Sequence, residues 1–134
     1  MRSEYKRTKD RAWKYFSLYI RARDCKRTTG FTDQGACVTC GKFFPFKELQ
    51  AGHAIGGRNI SILFDEKLVN IQCRGCNGYG NGEYAKYHLW YIDRYGVEDF
   101  RKKEELSNQS VKLSVTELDE IAKKYKMKYE RLVK

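Results

Sequence analysis

Two C-x-x-C pairs, Cys37-Val-Thr-Cys40 and Cys73-Arg-Gly-Cys76, constrain this chain more than anything else in it. Together they offer four thiolates, the donor set of a tetrahedral structural Zn²⁺ with Zn–S bonds of about 2.3 Å. Gly41 and Gly75 fall where a knuckle backbone must turn sharply. A thioredoxin-like redox site fits less well, because one pair would suffice and no βαβ pattern surrounds either. At 134 residues the chain reads as a single domain, 1–134, whose core is modest enough for a metal staple to matter. The fifth cysteine, Cys25, falls on a helical segment and is expected to be a buried small hydrophobe.

No apolar run approaches the ~20 residues of a membrane span, and no charged segment leads into an apolar one as in a signal peptide. The expectation is a cytoplasmic protein with reduced cysteines and no membrane partner. Net charge is +10 and unevenly spread: residues 1–27 hold ten Lys/Arg against Glu4, Asp10 and Asp24. Such a field attracts polyanions, chiefly nucleic acid. Lys6, Arg7, Lys9, Arg11 and Lys14 are the candidate phosphate contacts, on an amphipathic helix expected from about 8 to 26.

Between about 37 and 95 lies a Cys-rich core. Glycines punctuate short apolar stretches, Phe43–Phe46, Ile60–Phe64 and Leu68–Ile71, which read as strands. Helical pattern returns from about Gly82 to Tyr95, with Ala85, Leu89 and Ile92 as its stripe. It recurs at Val97–Glu105 and in a final helix of about 115–132 opened by the Ser114-x-x-Glu117 capping box. The segment beyond Val111 is the only one that could be a peripheral addition. The class is therefore α+β, with helices at about 97–133 closing the chain.

The insert between the knuckles carries the chemistry. Leu49-Gln-Ala-Gly-His53 reads as a strand ending in the candidate base, and Gly56-Gly57-Arg58-Asn59 as a polar turn. The return passes Asn70 and reaches Asn77, directly after the last cysteine. If the following stretch is helical, Asn81 lies one turn beyond Asn77. A zinc staple would then bring His53 towards Asn77 and Asn81. His88, near the expected buried stripe, reads as structural.

This order, a strand His, a hairpin Asn and a helix Asn, resembles the zinc-stapled ββα-metal or HNH nuclease core. More closely, Tyr19-Ile-Arg-Ala-Arg-Asp24, C-x-x-C-G, A-G-H, F-x-E and Q-C-x-x-C-N resemble the NinG/Rap recombination proteins of lambdoid phages over about residues 13–133. The resemblance implies a metal-dependent endonuclease acting on branched recombination DNA such as D-loops and Holliday junctions, in a bacterial host cytoplasm. It implies His53 as general base, Asn70 as the residue that orients the hairpin, and Asn77, with Asn81 and Gln50, as the ligands of a catalytic Mg²⁺ or Mn²⁺. Arg58 and Arg74 would contact phosphates. The chain departs from the pattern at Gly52, where many HNH enzymes carry Asp, and at Gln50, where relatives read D-A-G-H. Those departures keep a second reading open, a non-catalytic zinc-ribbon DNA-binding or regulatory module. A homodimer would supply the two sites needed to cut both strands of a junction.

Overall fold

A computed structural model describes residues 2–134 and places them in five helices and two small antiparallel sheets, an α+β architecture. Helix α1 runs Glu4–Thr29, three to four residues longer at each end than its apolar pattern requires. The ends are set by local chemistry. Ser3 accepts from the Lys6 amide at the N-cap, and Gly30, at φ +84°, closes the C-terminus in the left-handed conformation that glycine tolerates best.

Strands β1 (Gln34–Ala36) and β2 (Phe43–Pro45) form a minor hairpin around the first knuckle, followed by a 3-10 turn at Phe46–Glu48. β1 crosses α1 so closely that a Cβ on Gly35 would lie 2.9 Å from the Cys25 Cα and Sγ. Cys25 is fully buried against Leu49 and Ile71, as expected, and burial raises its thiol to about 11. The larger hairpin pairs β3 (Leu49–His53) with β4 (Val69–Cys73), Gly52 opposite Asn70 and Gln50 opposite Gln72.

Ile60–Phe64, expected as a strand, is instead a short helix α2 (Ile60–Leu63). Asn59 caps it by accepting from the Ile60 amide, and that cap overrides the β-branched composition. The stretch after the second knuckle is a π-type turn, Gly75–Tyr79, and helix α3 starts only at Tyr84 and ends at Tyr95. The buried face of α3 is Tyr87 and Tyr91, not the Ala85–Leu89–Ile92 stripe; Leu89 is 64 % exposed. The tyrosines win the interior because each hydroxyl finds a partner there: Tyr87 donates to Gly52 O at 2.7 Å and Tyr91 to Asp99 at 2.5 Å. His88 rests on Phe100, ring centroids 4.7 Å apart.

Helix α4 spans Val97–Ser107, and α5 (Val115–Val133) follows the capping box, where the Glu117 amide donates to Ser114 Oγ. α5 is no peripheral addition. Its Leu118, Ala122 and Tyr125 pack along α1 against Ala12 and Phe16, and Arg11 pairs with Asp119 at 2.9 Å. Among the described residues no helix is long and apolar enough to cross a membrane.

Arg23 and Asp24 latch α1 to the hairpin. The Arg23 guanidinium donates to Glu66 O, Val69 O and Asn70 Oδ1 at 2.8–3.1 Å, and the fully buried Asp24 accepts from the Ile71 amide at 3.0 Å and from Arg23 and Arg27. Asp24→Ala removes the acceptor while leaving two half-buried guanidiniums and a β-strand amide, a change that costs about 3–5 kcal/mol in comparable buried pairs. Urea unfolding of that variant checks it; a loss below about 1 kcal/mol would mean the latch is ornamental.

Candidate functional site

The two knuckles converge. Cys37, Cys40, Cys73 and Cys76 hold their sulfurs within 4.8 Å of one another, and Cys40 and Cys73 stand 3.9 Å apart. A tetrahedron with bonds of about 2.3 Å has S···S edges of about 3.8 Å, so the cluster could hold a metal ion such as zinc. Burial disfavours ionisation of Cys37, yet the Thr39 hydroxyl and knuckle amides draw its thiol down to about 6; burial pushes Cys76 up to about 12. A dication among the sulfurs would stabilise all four as thiolates.

β3 presents two faces. Leu49, Ala51 and His53 point towards α1, while Gln50 and Gly52 point towards the π-type turn. The expected site is thus split around one strand. The structure brings Gln50 and Asn77 together, Asn77 Nδ2 donating to Gln50 Oε1 at 2.8 Å, and sets His53 on the opposite face. Asn81 lies beyond the π-type turn in a left-handed conformation, φ +53°, exposed and with no hydrogen bond to Gln50 or Asn77. It does not sit one helical turn from Asn77, because that segment turns twice before α3 begins.

His53 is 6 % exposed and stacks under Trp13 of α1, ring centroids 5.3 Å apart and planes 17° from parallel. Its Nε2 lies 3.2 Å from Leu63 O. A carbonyl can only accept, so Nε2 carries the proton and the Nδ1 lone pair is left free. Burial pulls its pKa down to about 4, with the nearby Arg58 charge adding to the effect, so the imidazole is neutral at pH 7. Asn70 is fully buried and holds the hairpin through others: it donates to Lys67 O and to Tyr87 Oη, and Tyr87 in turn holds Gly52 O, the carbonyl of the peptide that leads into His53. Tyr87 and Arg23 are therefore positioning residues that sequence reasoning missed.

A groove of about 360 Å³ runs beside β3, lined by Gln50 and Asn77, by Arg58 and Arg74, and by Trp13, Arg21 and Lys47. Arg58 lies 4.4 Å over the Trp13 ring, and Arg21 lies 4.1 Å over Phe46 and donates to its carbonyl. Of the basic residues expected on α1, Lys6 and Lys9 line an adjoining hollow with Trp13 and Arg58. Arg7 donates to Arg2 O, Arg11 is tied to α5, and Lys14 rests over Tyr15. Arg21 and Lys47 were legible only as charges; nothing in their local pattern places them at a groove.

The chain matches, over residues 2–134, the family model described as bacteriophage lambda NinG protein. It belongs to the NinG family. No curated protein and no solved structure gives a significant match. In this NinG chain residues of the expected composite motif gather at the hairpin, Arg23 and Asp24 on its back, His53 on one face and Asn77 on the other, where it meets Gln50.

Proposed function

We propose that this NinG chain is a metal-dependent DNA endonuclease of the ββα-metal type, stapled by one structural Zn²⁺ on its four cysteines and directed to branched recombination DNA. The observation that carries the reading is the groove. It sets four cationic side chains, Arg21, Lys47, Arg58 and Arg74, beside the Gln50–Asn77 pair, three residues along β3 from a neutral histidine that has a free Nδ1 and lies on the strand's other face.

Guanidinium and ammonium groups in the groove seat the phosphodiester. His53 Nδ1 takes the proton from an attacking water while Nε2–H stays on Leu63 O, which fixes the tautomer throughout. Asn70 and Tyr87 hold the strand that presents it. The oxygens of Gln50 and Asn77 would hold a Mg²⁺ or Mn²⁺, which when bound neutralises charge on the phosphoryl group and the leaving oxygen. The donors fit a hard cation in type, being amide oxygens, but bring no carboxylate.

A second reading, a zinc-stapled DNA-binding module without catalysis, draws on the deep burial of His53 under Trp13. One experiment separates them. A four-way junction should be cut when Mg²⁺ or Mn²⁺ is added and stay intact without it, while a matched linear duplex is cut far more slowly. Binding of both DNAs should weaken with salt, with a log–log slope of about −0.9 per phosphate contacted. Tight junction binding with no cleavage in either ion would leave the non-catalytic module as the better account. Equal cleavage of linear and branched DNA would remove the branch preference alone.

A further inference from the structure

Gly52 leaves a gap on the hairpin face opposite His53, and Gln72 fills it from across the sheet. A Cβ on residue 52 would overlap Gln72 Oε1 and come within 2.9 Å of Asn77 Oδ1. Gln72 is fully buried, and its Oε1 has no partner among the described residues. The amide cannot turn to hide that oxygen, because Nε2 donates to Gly82 O at 2.9 Å, a carbonyl that accepts only, and to Thr39 Oγ1 at 3.2 Å. Two carbonyl oxygens thus converge on one small space beside Gln50, and one of them is a buried acceptor left unpaired.

We infer that Gln72 Oε1 is a ligand of an oxophilic divalent cation, taking the place of a side chain that Gly52 does not supply and completing a set with Asn77 Oδ1 and Gln50 Oε1. This rests on the proposed nuclease reading for what the cation does, and on the hairpin alone for where it binds. The set is electrically neutral. Hard divalent ions are held mainly by anionic oxygen, so three amide carbonyls give a weak site until a phosphodiester in the adjoining groove adds its charge. Cation and DNA therefore bind cooperatively, and by linkage each tightens the other by the same factor.

The rival account is a site without a cation: rotation of the Asn77 amide would turn its NH₂ group to Gln72 Oε1. Mn²⁺ binding, followed by loss of the free-ion electron paramagnetic resonance signal, decides between them. The measurement uses the zinc-loaded protein in a His53→Ala background, so that added four-way junction is not cut, with junction alone as the control. Mn²⁺ should bind more tightly to protein plus junction than the two separate titrations predict. Gln72→Met, with unchanged zinc content and circular dichroism, should weaken Mn²⁺ at least tenfold. Gln72→Glu, which keeps an oxygen in the gap and adds charge, should tighten it about tenfold, and it decides the matter if the Met variant does not fold. Unaltered Mn²⁺ affinity in the Glu variant, or in a folded Met variant, overturns the assignment. Metal-dependent cleavage that survives both changes would remove Gln72 and leave the nuclease reading intact. Gln72-dependent Mn²⁺ binding by a chain that cleaves no DNA would do the reverse.

Discussion

Stripping zinc from this chain, or changing Cys73 to Ser, should unfold it. The four sulfurs come from two segments far apart in sequence: Cys37 and Cys40 follow β1, Cys73 ends β4, and Cys76 lies in the π-type turn that carries Asn77. Apart from the sulfurs, the first knuckle is tied to the second segment through the Val38 amide, which donates to Ile71 O at 2.8 Å, and through Gln72, which reaches Thr39. Structural zinc contributes roughly 10–16 kcal/mol in small zinc-dependent folds, against a total stability of about 5–15 kcal/mol for a typical domain. Loss of one thiolate should therefore abolish the cooperative thermal transition, and strong chelation should do the same to the unaltered chain. Circular dichroism with elemental analysis checks both. A native-like spectrum in protein shown to be free of zinc would refute the staple.

His53→Ala should lower the cleavage rate by roughly 10²–10⁴, the range for loss of a general base, with zinc content and junction affinity nearly unchanged. The same residue gives a signature in stability. Its folded-state pKa of about 4 lies below the ordinary value of 6.5. Between those values the unfolded chain binds more protons, so stability rises with pH through that window, is complete above 6.5, and falls as pH drops towards 4. The full contribution is on the order of 3 kcal/mol for a group this buried. Urea unfolding at fixed zinc, compared between the chain and its His53→Ala variant, should show a shallower slope for the variant between pH 4 and 6.5. Equal slopes, or an unchanged cleavage rate, would sink the role given to this imidazole.

Features written in a few adjacent residues were legible in the sequence. The knuckles and the Ser114 capping box are short patterns with one good structural solution, and both are where they were expected. α2 was not legible, because Ile60-Ser-Ile-Leu63 has strand composition and only the Asn59 cap makes it helical. On α3 the Ala85–Leu89–Ile92 pattern pointed one face inward, and the hydroxyl bonds of Tyr87 to the distant Gly52 and of Tyr91 to Asp99 on the next helix turned another face in instead. Arg23 and Asp24 stood in the Tyr19–Asp24 motif, but their role was not legible, because their partners include backbone groups more than forty positions away. Gln72 opens the Q-C-x-x-C-N motif, but its burial was not legible for a related reason: a polar residue on a strand reads as solvent-facing until a second layer covers it. The site itself was half legible. Gln50 and Asn77 meet, and His53 sits on the strand end foreseen for it, but strand alternation turns it away from them.

The pairing of α1 with α5 has a consequence for how the molecule is made. Arg11 and Asp119 are 108 positions apart, and the two helices seal opposite sides of the same aromatic cluster, Phe16 meeting Tyr125 with ring centroids 4.8 Å apart. At a ribosomal pace of about 5–20 residues per second, α1 waits roughly 5–20 s for the helix that covers it. Through that interval a strongly basic helix displays Trp13, Phe16 and Ile20 in the company of cellular RNA and chaperones. The last step of folding must then close a loop of about a hundred residues, a topology that slows two-state folding. Yield in a cell is thus set by protection of a nascent N-terminal helix as much as by the final stability.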